Sequence, residues 1–144
     1  MKRITTVALL CLAVLALSTQ VASAHSPFKK CLQEAYGLKT VSCYTCHSRK
    51  SDVPADKLEA FAENSKAFRN AFGEQLYKLM ESGDHSAKIK AAKDAGDDNK
   101  KAAAEAEATE AFKAALKKVG QTKSASGKTY HEELTAGTLD GVKK

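Results

Sequence analysis

Apolar positions along this chain recur at steps of three and four, and no stretch alternates in steps of two, so the pattern predicts helices and no strands. Phe28, Cys31, Leu32, Ala35 and Tyr36 fall on one helical face. Ser26 is suited to cap that helix, Pro27 to open it and Gly37 to stop it. The longest stripe, Leu58, Phe61, Ser65, Phe68, Phe72, Leu76 and Leu79, predicts one helix from about Asp56 to Glu81, with Asp56 and Glu59 as a capping-box-like pair. Gly83-Asp84-His85-Ser86 interrupts it. Ala87–Ala95 and Lys100–Val119, split by Gly96–Asn99, then read as an alanine-rich helical hairpin with little apolar surface to bury. Gln121–Lys128 is a Ser/Gly/Lys linker, and a short helix over Tyr130–Ala136 is expected to dock Tyr130 and Leu134. The fold class expected is all-α.

The first residues carry a different signal. Lys2 and Arg3 precede the apolar run Val7–Leu17, and Ala22-Ser23-Ala24 supplies a small-x-small cleavage pattern. Residues 1–24 therefore read as a secretory signal peptide and 25–144 as one domain, outside the cytoplasmic membrane and with no anchor left after cleavage. The run is too short to span a bilayer comfortably. Of the 23 basic residues, Lys2 and Arg3 leave with the signal, so 21 face 17 acidic ones, a net charge of +4. The lysines are interleaved with Asp and Glu, as on a solvated helical face. No basic block with interleaved aromatics points to nucleic acid.

Candidate chemistry is concentrated in Cys43-Tyr44-Thr45-Cys46-His47, the C-x-x-C-H string of a c-type haem attachment site. Two thiols add across the two vinyl groups on one porphyrin edge, and the following imidazole reaches the iron as proximal ligand. A thiol-disulfide oxidoreductase would place the pair after a strand in a βαβ unit, which this pattern does not offer. A zinc site would need Cys31 with Cys43, Cys46 and His47, and no second paired motif follows. Covalent haem attachment outside the membrane also agrees with the secretory signal. Cys31 is then left as a single thiol, read as a small buried apolar residue.

On these residues the chain resembles small exported monohaem c-type cytochromes of the class I arrangement, with the haem motif near the mature N-terminus. Arg69-Asn70-Ala71-Phe72-Gly73 and Tyr130 followed by Leu134-Thr135-Ala136-Gly137 are similar to strings in short exported monohaem proteins of bacteria. The resemblance implies a helical domain wrapped around one covalent haem c, electron transfer rather than enzymatic turnover, and a periplasmic setting. Arg69 reads either as a surface arginine beside a helix-packing glycine or as a partner for a haem propionate. Opposite His47, Met80 stands first as distal iron ligand and His85 second, with His131 and His25 behind. A vacant distal position would make the chain a haem enzyme or gas-binding sensor instead. The partners expected are redox proteins, some with acidic docking faces, met by a monomer.

Overall fold

The computed structural model describes residues 26–80 and 83–144; residues 1–24, read in the sequence as a secretory signal, and His25, Glu81 and Ser82 lie outside the described residues. The described chain is mostly helical. It comprises α1 (Ser26–Tyr36), α2 (Leu58–Glu63), α3 (Ala71–Met80), α4 (His85–Asp94), α5 (Asp98–Gly120) and α6 (Tyr130–Ala136). Two short strands, β1 (Thr40–Val41) and β2 (Val142–Lys143), pair antiparallel, with Thr40 opposite Lys143 and Val41 opposite Val142. They are too short to show a period in the sequence, so the expectation of no strand fails here.

Helix α5 is the spine. Asp97 caps it by accepting a hydrogen bond from the Lys100 amide at 2.9 Å, and α1, α3, α4 and α6 all pack on it. Its Phe112, Ala115, Leu116 and Val119 meet Cys31 and Leu32 of α1, Phe72 and Leu76 of α3, and Tyr130 and Leu134 of α6. Phe28 stacks on Phe112 with ring centroids 4.7 Å apart, and Phe72 packs on Tyr130 at 4.9 Å. Val41 and Val142 bring the strand pair into the same core. Helix α6 begins in a capping box between Thr129 and Glu132 and ends at Gly137, whose φ of 71° is the left-handed value a helix stop favours. The alanine-rich hairpin is present as α4 against α5, and it buries mainly Ala92 and Ala108.

The predicted Asp56–Glu81 helix is broken. Residues Ala55–Lys57 and Ser65–Ala67 are 3-10 turns flanking α2, Phe68–Asn70 is extended, and α3 starts afresh at Ala71. Asp56 does not cap it: α2 opens at Lys57 with no side-chain cap. Of the three stripe phenylalanines only Phe72 enters the core. Phe61 and Phe68 pair edge-to-face at 5.3 Å instead. With Leu58 and the buried Val53 they belong to an arm, residues 48–70, whose apolar side chains do not join the contiguous core cluster.

Candidate haem-attachment site

The C-x-x-C-H string forms one tight turn. Ser42 caps a 3-10 turn over Cys43–Thr45, and the amides of Cys46 and His47 both donate to the Cys43 carbonyl, at 3.2 and 2.9 Å. The turn leaves Cys43 exposed and Cys46 and His47 half-buried, and it buries Thr45 completely. Burial, reinforced by the neighbouring Cys43, pushes the Cys46 thiol up to about 12. This environment suits a neutral thiol or a thioether far better than a thiolate.

His47 is oriented by the arm. It forms an antiparallel bridge with Arg69. Its Nδ1 lies 3.3 Å from the Phe68 carbonyl oxygen, which also accepts from the Ser48 amide at 3.1 Å. A carbonyl only accepts, so Nδ1 carries the proton and Nε2 keeps its lone pair. Burial lowers the His47 pKa; the bond to Phe68 pulls the other way, and the charges of Arg69 and Lys66 lower it further. A neutral imidazole with Nε2 available and Nδ1 held by a carbonyl is the form that binds a metal. The donor set thus fits haem c.

Two other segments close the turn. Asn70 Nδ2 donates to the carbonyls of Tyr44 at 2.8 Å and Thr45 at 3.0 Å, and the Asn70 amide donates to the Cys46 carbonyl at 3.1 Å. Asn70 Oδ1 accepts from the Gly73 amide at 2.9 Å, capping α3. Gly73 itself packs so closely that a Cβ there would collide with the Cys46 backbone. On the other side Gly141 lies under Thr45, and its carbonyl accepts from the Ser42 amide at 2.8 Å. Arg49 Nη2 donates to Asp140 at 2.6 Å with its guanidinium 5.4 Å from the Tyr44 ring.

The remaining candidates are dispersed. Arg69 stacks on Tyr77, its guanidinium carbon 3.6 Å from the ring centroid. Met80 is the last residue of α3 and packs partly buried against the core, about 10 Å of helix rise beyond Gly73. His85 is buried at the start of α4, its ring against Gly83 and its Nδ1 3.8 Å from Glu107 Oε1. His131 is exposed on α6, edge-on to Tyr36 at 5.5 Å. His25 lies outside the described residues. Cys31 is in the core, apart from the turn, where burial raises its pKa. Among the described residues no group of three or more His, Cys, Asp or Glu side chains is placed to hold a metal ion, and no helix is long and apolar enough to cross a membrane.

The residues that sequence reasoning missed are Phe68, Asn70 and Gly141. Asn70 sits inside the stripe that reads as one continuous helix, so its capping role had no signal in the sequence. Comparison with protein-family models, curated proteins and solved structures returns no match.

Proposed function

We propose that this chain is an exported c-type cytochrome that carries single electrons through one haem, held by thioethers from Cys43 and Cys46 with His47 on the iron. The observation that carries the reading is the state of His47: neutral, Nδ1 engaged by Phe68, Nε2 available, beside two cysteines in one turn. Bound there, haem c supplies a one-electron iron couple. The chain's own residues do the rest. Val53, Leu58, Phe61 and Phe68 are apolar side chains of the arm that the core cluster does not use, and the Phe68 carbonyl holds His47. Arg69, the direct bridge partner of His47, would be the charge to meet a propionate on leaving its stack on Tyr77. Lysine-rich exposed faces suit a redox partner with acidic patches.

A second reading, an open distal position for a gas or peroxide, is favoured by one observation. Met80 and His85 stand at the far end of α3 and beyond it, while the attachment turn meets the near end. The test is purification from a haem-maturing host, then mass analysis and optical spectra of both oxidation states. Covalent haem with a low-spin spectrum that ignores carbon monoxide supports the carrier. A ferrous form that binds carbon monoxide supports the second reading, and protein without covalent haem sinks both. If Met80 is the distal ligand, Met80→Ala converts the low-spin spectrum to high-spin.

A further inference from the structure

Asn70 performs two jobs with one side chain, and they are chemically separable. Its Oδ1 accepts from the Gly73 amide and caps α3, while its Nδ2 donates to the Tyr44 and Thr45 carbonyls inside the attachment turn. The amide orientation is fixed by its partners: reversed, it would set an oxygen against two carbonyls and a nitrogen against an N–H. The Asn70 backbone amide takes the Cys46 carbonyl as well. Three consecutive carbonyls of Tyr44-Thr45-Cys46 are thus held by a single residue, 24 positions downstream of Cys46 by sequence number. Gly73 allows this approach because a Cβ would strike the Cys46 backbone. A mere helix cap would need only the first of these contacts.

We infer that Asn70 is a positioning residue for the haem site, fixing the turn that presents Cys43, Cys46 and His47 through its Nδ2, independently of its capping of α3. The inference rests on the haem reading for its consequence and not for its geometry. Asn70→Asp separates the two jobs. Aspartate caps a helix as well as asparagine, but it offers the two carbonyls no donor and sets a negative charge against them. Loss of two hydrogen bonds predicts roughly tenfold faster amide exchange in the turn.

The experiment measures hydrogen exchange by mass spectrometry on the full exported chain as purified, comparing peptides over residues 43–48 and 72–80. In Asn70→Asp the first should exchange roughly tenfold faster and the second unchanged; the haem-bearing protein should also show a shifted midpoint potential at full haem content. Unchanged exchange over 43–48, or an unchanged potential, overturns the inference. If both peptides quicken, Asn70→Ser decides, since serine caps but is too short to span both carbonyls. Fast exchange over 43–48 with 72–80 protected then supports the clamp, and protection of both or neither overturns it. Wild-type protein carrying no covalent haem would sink the cytochrome reading, while the exchange comparison would still judge the clamp.

Discussion

At Gly73 the chain has no space for even one methyl group, because the Cys46 carbonyl occupies the place where a Cβ would stand. The glycine is there for close approach, not for an unusual backbone angle. Gly73→Ala should therefore cost about 1–3 kcal/mol, the range for forcing volume into a packed contact, read as a lower urea midpoint at unchanged slope. An alanine variant of wild-type stability would show that α3 does not press on the turn. His47 gives a pH prediction for the haem-free double variant Cys43→Ser/Cys46→Ser. Its folded pKa lies below the ordinary 6.5, chiefly through burial, so the folded state binds fewer protons than the unfolded chain. Its contribution is fully present above pH 6.5 and declines as pH falls through the depressed value. Denaturant midpoints should drop on acidification through that window, and adding His47→Gln should flatten the drop. An equally steep profile in the Gln variant would clear His47 of the effect.

The elements divide into two kinds. Helices α1, α3, α5 and α6 share the core, whereas α4 leans on α5 through alanines, His85 and the Lys88–Glu107 ion pair at 2.6 Å. That pair is half-exposed on both sides and adds little. Amides of α4 should accordingly exchange by local opening well before those of α5 around Phe112–Val119, which open only with the whole fold. Equal protection in the two would mean the hairpin is part of the cooperative unit. The helices of the core were legible from their period, since tertiary packing and spacing agree there. The interruption at residues 64–70 was not. Ser65, Phe68 and Phe72 keep the stripe in phase, so nothing local marks the break. It is made by partners from elsewhere: His47, Ser48 and Cys46 claim the Phe68 carbonyl and the Asn70 amide that an unbroken helix would use internally. The candidate trio Cys43, Cys46 and His47 was legible because it is closely spaced; the contacts that Asn70 and Gly73 make around it become visible only once α3 is placed.

For the molecule as a whole, the sequence suggests a haem that supplies most of the core, yet the buried side chains of the four core helices and the strand pair already form one contiguous cluster. The arm of residues 48–70 stands outside it. Cys43→Ser with Cys46→Ser should therefore keep most of the helical circular dichroism and a cooperative melt, with lost exchange protection confined to the arm. A featureless melt would return the core to the haem. The closing ladder bears on folding kinetics as well. Gly141, at φ 80°, would set a Cβ 2.6 Å from the Thr45 amide and the Ser42 hydroxyl, so Gly141→Ala should weaken closure. If closure is late, the variant unfolds faster and folds at nearly the wild-type rate; a matching loss in folding rate would place closure before the barrier.

That ladder joins Thr40–Val41 to Val142–Lys143, and Ser42 to Gly141, across about a hundred residues of intervening chain, a loop whose closure is slow by length alone. On the function proposed above, synthesis and export from the N-terminus deliver both thiols early and the segment that shuts them in late. The interval between the two is a waiting period set by chain length, during which the cysteines remain open to the attachment machinery.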